Sequence, residues 1–286
     1  MDKFYIIANS MKDINKDMTQ KIKKYLTERG KQCLVGQGED RKDSGICQFT
    51  DPRLIPDDVD VILVIGGDGT MIQAARDVVD KKIPLLGINL GKLGYLAEID
   101  KDNVYQALDK LLSGTYEIEE RVMLEGIVFH QEKKIANAIA LNDIVIGRCG
   151  VLRIVEYKIF VNGEYLNSYE ADGIVVATPT GSTGYSMSAG GPIIAPNASM
   201  IVVTPICPHT LNSRSIVLGA EDKITITIEA RRQNYIEEVL ASFDGEQSVN
   251  LTQTDKIEIQ MSSKKTKLVK ISKDSFLQVL GKKMRS

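Results

Sequence analysis

The sequence predicts an α/β amino-terminal half, then a β-rich half, then a short helical tail. Three observations predict this. Apolar strand-like runs alternate with segments of helical spacing up to about residue 116. Beyond that point the apolar period drops to two, and the last apolar segment, Ser275–Met284, returns to helical spacing. A chain of 286 residues also exceeds the usual single-core size, so two domains are expected.

Taken in order, residues 3–9 (KFYIIAN) read as a buried strand, and Met18–Leu26 carries apolar residues at helical spacing before Gly30, a natural stop. Val59–Ile65 is a second buried-type strand. It ends in Gly66-Gly67-Asp68-Gly69-Thr70, after which Met71–Val79 returns to helical periodicity. Pro84–Asn89 forms another apolar strand, followed by a Gly-rich turn (Gly91-Lys92-Leu93-Gly94) and a helix near Asn103–Leu112. Alternation on this length scale argues for a Rossmann-like parallel sheet with helices on its faces. In the second half, Val122–His130, Ala138–Ile146, Leu152–Val161, Lys223–Ala230, Lys256–Met261 and Lys267–Ile271 alternate apolar and polar residues, the pattern of a β-sandwich. Asn162-Gly163 between alternating flanks is the strongest hairpin signal. The helical tail is too short to stand alone, so it is expected to pack on one of the domains.

Composition narrows the function classes. With 36 basic and 38 acidic side chains the net charge is −2, which gives no electrostatic reason to expect nucleic acid or an anionic membrane as partner. No apolar run is long enough for a membrane helix, so the expectation is a soluble, cytoplasmic protein. Cys33, Cys47, Cys149 and Cys207 lie far apart with no CxxC pair, suggesting neither a zinc site nor a disulfide framework. His130 and His209 are isolated and read as structural.

The Gly66–Thr70 turn joins a buried strand to a helix, a form that offers backbone N–H groups to a phosphate at the positive end of the helix. A dinucleotide fingerprint starting at Gly67 would need a glycine where Ile72 stands. The run from Gly87 to Leu93 is one residue too short for a P-loop and lacks its hydroxyl residue. The aspartate inside the turn is unusual, since a like-charge contact with phosphate at 4 Å costs ~4 kcal/mol at an effective dielectric near 20. Asp68 therefore holds a metal ion or accepts a proton, or else it caps the helix that follows. A second segment, Asp172–Pro192, places Thr, Ser, Gly and Tyr after a strand, which suits phosphate and ribose recognition, with Tyr185 offering an aromatic face to a base.

Together, GGDGT (66–70), NLGKLGYL (89–96), LNDIVI (141–146), ADGIVVATPTGSTGYSMSAGGPI (171–193), PICPHTLNSRSIVL (205–218) and SFDGE (242–246) resemble the blocks of the NAD kinase family, in its order. GGDGT alone also resembles diacylglycerol and sphingoid-base kinases, in which Asn-Glu-Val usually follows, whereas this chain continues Met71-Ile72-Gln73.

The resemblance implies an α/β domain of residues 1–116 plus the tail 267–286, and a β-rich domain of 117–266, with NAD held between them. It also implies transfer of the γ-phosphate of ATP, or of another donor, to the adenosine ribose 2′-hydroxyl of NAD, with Mg²⁺ or another divalent cation. A homo-oligomer, dimer or tetramer, is implied as well. Carried over, Asp68 lies at the phosphoryl-transfer site, and Gly67, Gly69 and Thr70 shape the turn. Asn142 and Asp143 contact the adenosine portion, while Thr183, Gly184, Tyr185 and Ser188 line the dinucleotide pocket. Asp172 faces the nicotinamide end, and Asp244 lies near the site. Many family members have Asn-Glu where Asn142-Asp143 stands, so this carboxylate reaches about one bond less far and leaves room for a bridging water. Lys92 and Arg76 are the candidate donor-phosphate cations. Rival functions are a non-catalytic dinucleotide-binding regulator and a lipid kinase using the same turn.

Overall fold

The computed structural model describes residues 1–36, 50–91, 94–150, 154–210, 213–229 and 239–285. It divides into two units, Met1–Arg121 with Lys265–Ser286, and Val122–Lys264. In the first unit, β1 (Lys3–Ala8), α1 (Asp17–Glu28), β2 (Gln32–Val35), β3 (Val61–Gly66), α2 (Asp68–Asp77), β4 (Leu85–Asn89), β5 (Ile99–Asp100) and α3 (Val104–Leu112) follow one another. The strands pair in parallel in the order β2-β1-β3-β4-β5. Every residue of β3 and β4 is buried, as expected of parallel strands covered on both faces, and this is why they read as unbroken apolar runs. On α3 the buried residues Val104, Ala107, Leu108 and Leu111 recur at one helical face and join Ile6, Leu63 and Ile88 in the core.

The second unit is antiparallel. Its elements are β6 (Glu117–His130), β7 (Lys133–Ala140), β8 (Asp143–Arg148), β9 (Val155–Val161), β10 (Glu164–Ala171), β11 (Gly173–Ala177), α4 (Tyr185–Ser188), β12 (Met200–Ile206), β13 (Ile216–Gly219), β14 (Ile224–Glu229), β15 (Val239–Phe243) and β16 (Gln247–Leu251). The chain then runs back through β17 (Asp255–Lys270) into α5 (Phe276–Lys283) of the first unit. One sheet has the order β13-β12-β11-β8-β15-β16. Its inward residues Ile144, Ile146, Ile174, Val176 and Phe243 share one core with Tyr157, Ile159, Ile226, Ile257 and Ile259 of β9, β14 and β17, which makes a sandwich. The outward residues Val175, Ala177 and Val202 are covered by Ala189 and Ile194, so β11 is buried on both faces.

Several boundaries differ from the sequence expectation for physical reasons. The segment Ala138–Ile146 is not one strand: it breaks at Leu141-Asn142, where the Thr178 hydroxyl and the Asp244 carboxylate take backbone groups out of the ladder. Lys256–Met261 and Lys267–Ile271 are parts of a single strand, β17, whose polar middle hides its continuity. α2 begins at Asp68, inside the turn, rather than at Met71. Of the segment starting at Leu152, residues 151–153 lie outside the described residues, and the strand begins at Val155. Asn162 and Gly163 both have positive φ, 53° and 84°, as a type I′ hairpin between β9 and β10 requires. No helix among the described residues is long and apolar enough to cross a membrane.

Candidate functional site

In the first unit the polar groups gather at the carboxyl ends of β1, β3 and β4, where open parallel sheets place their ligands. Gly67 stands at the N-cap of α2, so the N–H groups of Asp68, Gly69 and Thr70 belong to the first turn and have no partner within the helix. Buried Asn9, one residue past β1, donates its amide to Thr70 Oγ1 at 3.1 Å. Its Oδ1 accepts from the N–H groups of Met11 (3.0 Å) and Lys12 (3.3 Å). The loop held in this way brings the Lys12 ammonium to the turn: a methyl group on Gly67 would stand 2.7 Å from Lys12 Nζ.

Asp68 does not cap the helix, for the N-cap position belongs to Gly67. Its carboxylate faces the other way and accepts three backbone N–H groups. Oδ2 accepts from Tyr95 at 2.7 Å, and Oδ1 accepts from Leu96 at 3.0 Å and Ala97 at 3.1 Å. Gly94 packs so closely on the carboxylate that any side chain there would collide with it. A carboxylate offers about four acceptor directions, so roughly one remains for a ligand.

The second unit builds a separate corner from β8, β11 and the β15–β16 turn. Asp244, in the left-handed region with φ 52°, accepts from the N–H groups of Leu141 (2.8 Å), Asn142 (2.7 Å) and Asp143 (3.2 Å). Burial, and secondly the Asp244 charge, push the Asp143 carboxyl up to about 7. The loop after β11 folds onto this corner: fully buried Thr178 donates its hydroxyl to the Leu141 carbonyl at 2.6 Å and accepts from the Gly181 N–H at 3.0 Å. Gly181 rests directly on the Asn142 backbone, with no space for a side chain. Gly184 faces the Asn142 amide and the Asp143 carboxylate, and a methyl group there would lie 3.6 Å and 4.0 Å from them. Asn142 Oδ1 is buried without a hydrogen-bond partner, an acceptor left for a ligand. Tyr185 is 48% exposed.

Comparison with known proteins decides the lineage. The ATP-NAD kinase N-terminal domain model matches residues 4–116, and the ATP-NAD kinase C-terminal domain model matches residues 141–271. The chain belongs to the ATP-NAD kinase family. It is 42% identical to the NAD kinase of Lachnospira eligens over 293 residues, spanning 99% of this chain and 100% of that one. It is 45% identical to the NAD kinase of Agathobacter rectalis over 286 residues, spanning 99% of each. Among solved structures, yeast NADH kinase complexed with NADH superposes with a TM-score of 0.84 at 23% identity, covering 100% of this chain and 88% of that one. An NAD kinase from Archaeoglobus fulgidus in complex with ATP superposes with a TM-score of 0.76 at 24% identity, covering 98% of each. At these identities the structural likeness is one of fold.

In this ATP-NAD kinase chain, the residues singled out from the sequence fall into three places. Gly67, Asp68, Gly69 and Thr70 sit together in the first unit. Asn142, Asp143, Thr183, Gly184, Tyr185, Ser188 and Asp244 sit at one end of the β8–β11 ladder in the second. Asp172 precedes the opposite end of β11, ~20 Å from Thr178 at the usual rise per residue, where Arg148 Nε donates to its Oδ1 at 2.8 Å. That guanidinium holds the Asp172 carboxyl below the usual carboxylate range. Arg76 stands in the last turn of α2, its Cα ~12 Å along the axis from that of Asp68, with Nε 3.9 Å from Asp77 Oδ1. Lys92 lies outside the described residues.

Sequence reading missed Asn9, Lys12 and Gly94. The one available signal was a polar Asn-Ser pair directly after an apolar strand, followed by a lysine. Gly94 stood in a Gly-rich turn, but the reason for it was hidden, since its need comes from an aspartate 26 positions earlier. Among the described residues no group of three or more His, Cys, Asp or Glu is placed to hold a metal ion.

Proposed function

We propose that this chain is an NAD kinase: it transfers the γ-phosphate of ATP, or of another phosphate donor, to the adenosine ribose 2′-hydroxyl of NAD and releases NADP. The observation that carries this reading is that both kinase domain models match in order, with relatives named NAD kinase at 42% and 45% identity over nearly the whole chain.

Phosphoryl transfer asks the protein mainly for alignment and charge stabilisation. Asp68, with three N–H groups fixing its plane, uses its remaining acceptor direction to receive the hydrogen bond of the ribose 2′-hydroxyl, and this aims the oxygen at the donor phosphorus. The N–H groups of Gly69 and Thr70, with the Lys12 ammonium, receive donor phosphate oxygens at the positive end of α2. Asn142 and Asp143 hold the adenosine portion: the unpartnered Asn142 Oδ1 accepts from it, and a protonated Asp143 carboxyl can donate as well as accept. Tyr185 lends an aromatic face to a ring, Thr183 and Ser188 lend hydroxyls, and Asp172 serves the nicotinamide end.

A divalent cation such as Mg²⁺ would be held mainly by the donor phosphates, since no group of three or more His, Cys, Asp or Glu among the described residues is placed to hold a metal ion, and Asp68 is the carboxylate the turn would offer it. Bound there, it would neutralise charge on the phosphate oxygens. The family resemblance adds a cytoplasmic setting and a homo-oligomer, dimer or tetramer.

The test is chemical. Purified protein is incubated with NAD, ATP and MgCl₂, and the product is separated and analysed by mass and phosphorus NMR. NADP carrying its new phosphate on the 2′-oxygen is expected. Tight NAD binding without product, with several donors tried, would instead favour a regulator.

A further inference from the structure

We propose that the carboxyl-terminal helix α5 is a positioning element for Asp68, acting through the ring of Tyr95. The inference rests on the reading of Asp68 given above and deepens it.

The segment Gly94–Glu98 has two faces. One face is the Asp68 cradle: Gly94 lies against the carboxylate, and the N–H groups of Tyr95, Leu96 and Ala97 hold its two oxygens. The other face is bound by the chain end. Lys283 Nζ lies 4.0 Å from the centroid of the Tyr95 ring, a cation–π contact, and the Phe276 ring lies 6.4 Å away, tilted by 40°. Phe276 and Lys283 are seven residues apart, so they share one face of α5. The Glu98 carboxylate closes the same segment from below, accepting from the N–H groups of Ile271 at 2.6 Å and Ser272 at 3.1 Å just before the helix.

What separates positioning from plain stabilisation is how little α5 buries. The helix has eight residues and no buried side chain, and Leu277 is 72% exposed. A helix this short does not persist in water on its own. It is held by the Ser275–Gln278 capping box, the Lys282–Asp274 ion pair at 2.6 Å, the partial burial of Phe276, Val279 and Leu280, and its contacts with Tyr95. An element kept only for stability would place apolar surface in the core, as α3 does with four residues. α5 instead touches the residue whose backbone donates the shortest of the Asp68 hydrogen bonds. Fixing the Tyr95 ring fixes that N–H, and hence the plane of the carboxylate and its free acceptor direction.

The experiment compares Tyr95→Ala, Tyr95→Phe, Phe276→Ala, Lys283→Met and Asp68→Asn in steady-state NADP formation, each with a thermal melt. Tyr95→Ala should lower kcat about tenfold, the size of a lost aromatic and cation–π contact, while KM for NAD and for ATP stays within about twofold. Tyr95→Phe, which keeps the ring, should restore kcat. Phe276→Ala and Lys283→Met, on an exposed helix, should each lower kcat about threefold and carry the test if Tyr95→Ala fails to fold. In an Asp68→Asn background the Tyr95 and α5 changes should have no further effect on residual turnover. Unchanged kcat in Tyr95→Ala, Phe276→Ala and Lys283→Met, with a lowered melting temperature alone, overturns the proposal. Full turnover in Asp68→Asn would overturn the Asp68 reading instead, so the two failures are distinguishable.

Discussion

Two carboxylates mark the ends of what single residues do here. Asp68 is surrounded by backbone donors, whereas Asp143 is 6% exposed and faces a second carboxylate, so burial first and then Asp244 raise it from 3.8 to about 7. Because the folded value lies above the unfolded one, the native state holds this proton between about pH 4 and 7. The associated stability is complete below about pH 4 and is lost as pH rises through about 7. Asp143→Asn cannot ionise, so the melting temperature of the variant minus that of the wild type should grow between about pH 5 and pH 8. A difference independent of pH would show that Asp143 does not titrate in that window. That Asp68 and Asp143 are candidate site residues was legible in the sequence, because both stand in motifs. Their environments were not, because the Asp68 donors come from positions 95–97 and the partner of Asp143 from position 244.

At the scale of elements, the apolar runs of β1, β3 and β4 and the spacing of α3 were legible because each is decided by its own burial pattern. The break between β7 and β8 was not, since Leu141-Asn142 carries no glycine or proline and is enforced by distant groups: the Thr178 hydroxyl and the Asp244 carboxylate. The β15–β16 turn is thus a clamp as well as a hairpin, and its Asp244-Gly245 pair adopts positive φ at both positions, 52° and 74°. Asp244→Ala removes two acceptor oxygens and the three hydrogen bonds they receive, and leaves a strained backbone, so a loss of about 2–4 kcal/mol in denaturant unfolding is expected. Asp244→Asn keeps one acceptor and tolerates the left-handed region, so it should lose less. Equal stability of Asp244→Ala and wild type would mean that the corner does not depend on this carboxylate.

For the whole molecule, the plan of an α/β unit followed by a β-rich one was legible from the change of apolar period. The continuity of β17 was not, because Ser262-Ser263-Lys264-Lys265 reads as a polar loop while the backbone stays extended. The first unit holds Asp68 in place from several directions: α2 presents it, residues 94–97 cradle it, and α5 steadies the cradle. Asp68→Asn retains a single acceptor oxygen and turns an amide toward a backbone N–H, at a stability cost of about 1–3 kcal/mol, so folded fraction is measured beside activity. The decisive measurement is the steady-state turnover of NAD and ATP to NADP by folded Asp68→Asn enzyme relative to wild type. A fall in kcat of at least ~10²-fold with NAD affinity retained is the predicted result. Turnover within a few-fold of wild type would remove Asp68 from the mechanism and contradict the account.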